Sequence, residues 1–271
     1  MTKYYKLIFL ALVLSYILYW GNNCIDVTHH TIQTSKLSTS SLKIVHLSDL
    51  HNKWFGENQH RLVAKIENEN PDLIVMTGDI IDSRKTALEP ALSLLEASVK
   101  IAPTYFVTGN HDVAIPHPER FLKQIEKTGT TYLENKSCTI SHEGELIHLH
   151  GVDDSNLIGY TAFYKNLETL SNTMDTEHLN ILLVHKPRFL ETYAALNYDL
   201  VFSGHAHGGQ IKLPGIGGLF SPSQGFLPKY AEGIIKQNNT ELIVSRGLGN
   251  SLFPFRILNN PEVVVLTLQP K

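Results

Sequence analysis

Five short apolar runs in this chain each stop at a polar cluster, and that arrangement limits its fold more than any other feature. Leu42–Ser48, Asp72–Thr77, Thr104–Thr108, Leu179–Val184 and Asp199–Ser203 read as short buried strands. In turn they run into Asp49-Leu50-His51, Gly78-Asp79-Ile80-Ile81-Asp82, Gly109-Asn110-His111-Asp112, His185 and Gly204-His205-Ala206-His207. Parallel strands of an α/β sheet bring their carboxyl ends to one edge, and the crevice outside that edge is where ligands bind. Clusters far apart in sequence are therefore expected in one pocket.

The side chains in these clusters are carboxylate, imidazole and amide, with no thiolate. Such donors suit borderline-to-hard divalent ions such as Mn, Fe, Zn or Mg rather than a structural zinc knuckle. The set is large enough for two ions, and two ions about 4 Å apart form a clamp for in-line attack on phosphorus. A water shared by both loses its proton near neutrality, which makes the bridging hydroxide the expected nucleophile. The departing oxygen needs a proton, and His111 is the residue expected to supply it. It lies between Asn110 and Asp112, and a carboxylate hydrogen-bonded to one ring nitrogen would fix its tautomer, so Asp112 joins it as a catalytic candidate. The reading is a metal-dependent phosphoesterase.

With those residues in view, the five blocks resemble the pattern of the calcineurin-like metallophosphoesterase superfamily: D-x-H, G-D-x-x-D, G-N-H-D/E, H and G-H-x-H. All five are intact, and the resemblance runs from about Leu42 to Leu268. Gly208-Gly209-Gln210 and Ser245-Arg246-Gly247-Leu248-Gly249 are similar to a bacterial membrane-associated branch related to UDP-diacylglucosamine pyrophosphatases. The resemblance implies an α/β fold, a two-sheet β-sandwich flanked by helices in four αββα layers. It implies one metal held by Asp49, His51, Asp79 and His207, and another by Asp79, Asn110, His185 and His205, with Asp79 shared. The implied reaction is hydrolysis of a phosphodiester or pyrophosphate in a lipid or sugar-nucleotide. A nuclease or cyclic-nucleotide phosphodiesterase, and an envelope-binding protein without meaningful turnover, stay open as alternatives. Protein phosphatases of the superfamily carry Arg directly after the second Asp of G-D-x-x-D, whereas Ser83 separates Asp82 from Arg84 here, which speaks against phosphoprotein substrates.

Between and after the strands, Gln59–Glu69, Leu88–Lys100, Pro118–Lys127 and Arg188–Leu196 have helical spacing, while Gln210–Leu213, Leu242–Ser245 and Glu262–Leu268 are expected as strands of a second sheet. The Gly- and Pro-rich stretch 213–230 carries Phe220 and Phe226, which are expected either to receive acyl chains or a bilayer, or to pack over that sheet. Arg246 is expected on phosphate, because a guanidinium fork matches phosphate oxygens, or in a structural salt bridge. His148 and His150 share a strand face and could chelate, though packing is the simpler reading. Asp153 and Asp154 are expected to help orient groups around the site.

At the amino terminus, Lys3 and Lys6 precede Leu7–Trp20, and the uncharged span continues to Ile25. Its 19 residues from Leu7 approach the ~20 that cross a hydrocarbon core, and Tyr16, Tyr19 and Trp20 suit an interfacial belt. A secretory leader should end in small residues, which Trp20-Gly21-Asn22-Asn23 does not supply, so retention as an anchor is expected. The organisation read from sequence is a membrane helix over 1–25, a polar tether over 26–41 and a catalytic domain over 42–271. Charges ahead of the span favour a catalytic domain on the extracytoplasmic side, with the cytoplasmic face open if the helix only dips into the membrane. Net charge is −3 and no run of Lys or Arg forms a basic stripe, so nucleic acid is not an expected partner. Two distant cysteines exclude a disulfide framework.

Overall fold

Apolar runs four to six residues long, with no alternation to polar, belong to strands buried on both faces, and that is where they lie. The computed structural model describes residues 2–85, 87–251 and 253–271. One six-stranded sheet is ordered Asp26–Thr34 (β1), Glu262–Pro270 (β16), Leu42–Leu47 (β2), Leu73–Met76 (β3), Thr104–Phe106 (β4) and Thr131–Tyr132 (β5). The other is ordered Gly233–Gln237 (β14), Thr240–Val244 (β15), Leu200–Ser203 (β9), Leu179–Leu183 (β8), Glu145–Gly151 (β7) and Lys136–His142 (β6). Strands β2 to β5 are mutually parallel, as are β15, β9, β8 and β7.

The two sheets face each other. Ile44, Val75, Leu149, Ile181, Phe202 and Leu266 form the core between them. Neighbouring residues on the same strands point the other way: Val45, Ile74 and Val265 pack under helices His60–Glu69 (α2), Glu89–Ile101 (α3) and Pro118–Lys127 (α5), with Leu62, Leu94 and Phe121. Leu182 and Val201 pack against Phe163 of Tyr160–Ser171 (α7) and Tyr193 of Leu190–Ala195 (α8). Four layers result, as the resemblance implied. Helix α5 illustrates how sequence fixes a layer: Pro118 sets its first turn, and Phe121 and Ile125, four apart, bury one stripe.

Three expectations need correcting. Glu262–Leu268 lies in the first sheet, antiparallel to β2, rather than in the second. Its alternation assigns one face to the inter-sheet core and the other to helices, and either sheet offers that choice. Gln210–Leu213 contributes Lys212–Leu213 (β10) to a small hairpin with Gly217–Gly218 (β11), outside both large sheets; Phe220–Ser221 (β12) and Gly225–Phe226 (β13) form another. The expected tether is a strand: β1 pairs in parallel with β16 over nine register positions from Asp26 to Thr34. As an edge strand it is only half-buried, so its polar composition reads as linker. Helix α1, Thr2–Asn23, is apolar on all sides, and nearly all of its residues from Tyr4 to the last turn are exposed.

Candidate metal centre

Each polar cluster begins where a strand ends. Asp49 and His51 follow β2, Asp79 follows β3, and Asn110 opens the short helix Asn110–Val113 (α4) after β4; His185 follows β8, and His205 and His207 follow β9. Sheet one thus supplies three blocks and sheet two supplies two, so the pocket lies across the ends of both. The ladder continues past the strands, since the Asp49 N–H donates to the Gly78 carbonyl at 2.9 Å and the His51 N–H to that of Asp79 at 3.0 Å. Asp49, His51, Asp79, His205 and His207 all sit at φ between 48° and 66°. L-residues there lose roughly 1–2 kcal/mol each, a strain that clusters where function over-determines the backbone. At Gly204 an added Cβ would strike the Asp49 carboxylate, and at Gly109 that of Asp79, so both turns admit no side chain.

Asp49, His51 and His207 bring their ligand atoms within 4.8 Å of one another, and so do Asp79, His185 and His205. In the first group His51 Nε2 is 3.3 Å from His207 Nε2, which is 3.4 Å from Asp49 Oδ1. In the second, His185 Nε2 is 3.2 Å from Asp79 Oδ2 and 3.1 Å from His205 Nδ1. Asp79 Oδ2 also lies 3.8 Å from His51 Nε2, between the groups. Donor atoms spaced by about 3 Å match ligands on bonds of about 2 Å around one ion. Asn110 Oδ1 is buried with no hydrogen-bond partner. An unpartnered buried amide oxygen on the residue before His111, whose N–H bonds Asp79 Oδ1, fits a divalent cation, because a buried orphan acceptor otherwise costs free energy. His185 donates its Nδ1–H to the Thr77 carbonyl at 2.7 Å, leaving Nε2 free to ligate.

Burial sets the charge pattern. It pushes the imidazoles of His51, His205 and His207 down, to about 4 for His51. It would push His185 down too, but the hydrogen-bonded Asp79 carboxylate, with Asp49 and Asp154, raises it to about 10. Asp79 shows the converse: burial acts to raise it, and the charge and hydrogen bond of His185, with His51 and His111, hold it well below the carboxylate range. Below about pH 10 the metal-free site therefore carries a protonated His185, whereas a ligating imidazole must be neutral. Loading the metal-free protein with Mn at about pH 8 should release at least about one proton per chain, and affinity should fall as pH is lowered. Calorimetry in buffers of different ionisation enthalpy measures this; no proton release would mean that His185 does not ligate.

The structure departs from the expected role of Asp112 and decides between the two expected for Arg246. Asp112 does not touch His111. Its Oδ2 accepts the N–H groups of Asp79 at 2.6 Å and Gly109 at 2.8 Å, and its Oδ1 that of Ile81 at 3.1 Å, so it braces two ligand loops. His111 Nδ1 instead accepts the Ser83 N–H at 3.3 Å, with Ser83 Oγ at 3.0 Å and Asp82 Oδ1 at 3.6 Å. Arg246 is not free for phosphate: it is engaged with Glu262 at 3.1 Å, Asp26 at 3.2 Å and Glu232 at 3.7 Å.

Other residues fall around the pocket. Asp153 accepts from Thr108 and Tyr132, and Asp154 pairs with Lys186 at 2.9 Å, so both brace the strands behind the site. Asp154 also caps the short helix Ser155–Ile158 (α6), its side chain accepting the Asn156 N–H. His150 is held by Ser137 and Asn180, while His148 stands near Asp175 and His178, a group that shares no residue with the ligand blocks. Phe220 and Phe226 stack edge-on in the β12–β13 hairpin and are solvent-exposed. Sequence reading missed Arg256, which is fully buried, donates to the carbonyls of Gly249 and Arg246, and lies 3.4 Å from His207 Nδ1. Its only sequence signal is a charge inside an apolar loop.

Comparison with known proteins agrees with this arrangement. A sequence profile described as calcineurin-like phosphoesterase matches residues 42–209. The metallophosphoesterase YkuE of Bacillus subtilis is 34% identical over 264 residues, covering 94% of this chain and 89% of that protein. The phosphodiesterase YaeI of Escherichia coli is 27% identical over 252 residues, covering 90% and 88%. The crystal structure of TT1561 from Thermus thermophilus has a TM-score of 0.54 at 12% identity, covering 77% of this chain and 91% of that one, a likeness of fold alone.

Proposed function

Because the chain belongs to the calcineurin-like phosphoesterase family, whose members of the dimetal kind use two divalent ions, we propose that it is a membrane-anchored hydrolase of a phosphodiester or pyrophosphate bond in a lipid or sugar-nucleotide. One observation carries the reading: two His/carboxylate groups, Asp49-His51-His207 and Asp79-His185-His205, meet at Asp79 across the ends of two sheets. We assign these six residues and Asn110 as the metal holders. When bound, the two cations supply positive charge that activates the attacking water and stabilises charge developing on the phosphoryl oxygens.

The chain's own groups do the rest. Asp79 offsets the cations' charge and, through Oδ1, accepts the His111 N–H at 2.7 Å, which fixes His111 beside the shared carboxylate. The His111 ring stands edge-on to His51, with centroids 4.8 Å apart, and its side chain stays partly open to solvent. With Nδ1 accepting from the Ser83 backbone, a neutral ring carries its proton on Nε2, where it can be given to the departing oxygen. Asp82 faces the same Nδ1 and stabilises the ring when it is charged; Arg84 in turn grips Asp82 with two bonds of 2.8 Å.

The anchor assignment rests on α1, whose 20 residues from Tyr4 to Asn23 are long and apolar enough to cross a membrane. Lys3 and Lys6, ahead of the uncharged run that starts at Leu7, favour an extracytoplasmic catalytic domain. Full-length protein loaded with Mn should hydrolyse bis-p-nitrophenyl phosphate at least ~10²-fold faster than the metal-free form. Within a panel of membrane lipids, nucleotide sugars, cyclic nucleotides and DNA, it should prefer the first two. Metal binding without turnover on any of these would leave a binding protein instead.

A further inference from the structure

The end of α1 is fastened to the catalytic domain. Gly21 packs so closely on the Arg256 carbonyl that an added Cβ would come within 2.6 Å of its oxygen. Asn22 Oδ1 accepts from Asn250 Nδ2 at 2.8 Å and from the Arg256 N–H at 3.2 Å. Lys53 Nζ reaches the Asn22 carbonyl and Arg61 Nη2 that of Asn23. Two residues on, Ile25 is buried in the core with Val263. Because Arg256 also lies beside His207, a single side chain separates the last turn of the apolar helix from the metal centre.

An exposed apolar rim starts at this junction. Phe255 lines one surface cleft with Leu18 and Tyr19 of α1. Three residues later Leu258, 57% exposed, lines another with Leu213 and Ile216. From there the chain carries the rim onward, since the Leu219 N–H donates to the Ile211 carbonyl at 2.8 Å and that of Leu227 to Leu219 at 2.9 Å. Phe226, at the other end of the β12–β13 hairpin, is 82% exposed. The turn of the same hairpin holds Ser223, whose Oγ is 3.1 Å from His205 Nε2. The rim therefore begins on the membrane-length helix and ends three residues from the serine that meets a ligand histidine.

We propose that this rim, formed by Phe220, Phe226, Leu227, Phe255, Leu258 and the exposed Phe253 that stands edge-on to Phe255, rests in the headgroup region of the phospholipid bilayer that α1 enters, so that the metal centre opens against the lipid surface. The proposal rests on reading α1 as an anchor. Contiguous exposed apolar surface marks an interaction site, and aromatic side chains next to the end of a spanning helix suit the membrane interface. A protein occupant would compete with the lipid around α1, because Phe255 already borders Leu18 and Tyr19. Docking rather than tethering also fixes the reach of the enzyme: it acts on phosphoesters at the surface of its own membrane.

Metal-loaded full chain in nanodiscs of brominated phosphatidylcholine provides the test. Tryptophan is placed by Phe226→Trp, Phe255→Trp or Leu146→Trp, each in a Trp20→Phe, Trp54→Phe background; Leu146 is an exposed residue of β7 and serves as the control. The first two should lose roughly a third or more of their emission relative to unbrominated lipid, and Leu146→Trp should lose none. On the unsubstituted chain, amide exchange over 219–227 and 253–258 should slow at least ~5-fold in nanodiscs relative to detergent. A chain that does not stay with the nanodiscs overturns the anchor and the rim together. A chain that stays, with all three tryptophans equally quenched or equally unquenched and exchange unchanged, overturns the rim alone.

Discussion

Asp79→Asn should bind less than one equivalent of divalent metal and lose ~10³-fold or more of its phosphodiesterase turnover. The carboxylate has three separate tasks that an amide cannot share. Its Oδ2 stands 3.2 Å from His185 Nε2 and 3.8 Å from His51 Nε2, where one oxygen can serve both ligand groups. Its charge is what holds a buried, protonated His185 against a desolvation that acts the other way. Its Oδ1 accepts the His111 N–H at 2.7 Å. An Asn side chain presents an NH2 to one of these partners and no charge to the others, leaving two buried cations without their common counter-ion. Elemental analysis beside hydrolysis of bis-p-nitrophenyl phosphate measures both losses. A variant retaining two equivalents and near-normal turnover would refute Asp79 as the shared ligand.

Asp79 was readable because an apolar run, β3, ends at Met76, three residues before the first carboxylate of Gly78-Asp79-Ile80-Ile81-Asp82. The same logic gave Asp49, His51, Asn110, His185, His205 and His207, since a buried strand must stop where unpaired polar groups begin. It could not assign strands to sheets. Alternation in β16 says that Val264 and Leu266 share one face and Val263 and Val265 the other, and an αββα sandwich offers that environment twice. Nor could it find β1, because an edge strand with one covered face does not need an apolar sequence. Arg256 and the true partners of Asp112 were illegible for a different reason. Arg256 acts through the carbonyls of Gly249 and Arg246, and Asp112 through the N–H groups of Asp79, Gly109 and Ile81. Backbone groups have no residue type, so their convergence appears only once the loops are folded.

His111→Asn should separate chemistry from metal binding: turnover falls by roughly 10²–10⁴-fold while metal content stays at the unsubstituted level. None of the assigned ligand distances involves the His111 ring, whose Nδ1 faces Ser83 and Asp82. Asn keeps the backbone N–H that bonds Asp79, so the shared carboxylate should hold its place. What disappears is a group able to give a proton to the departing oxygen. A leaving group that needs no proton then reveals the role, because p-nitrophenolate departs readily and an alkoxide does not. The loss on an alkyl diester should exceed that on the p-nitrophenyl diester by about tenfold or more. Equal losses on both substrates would assign His111 to phosphoryl-oxygen binding instead, and loss of metal along with activity would make it a support of the metal centre.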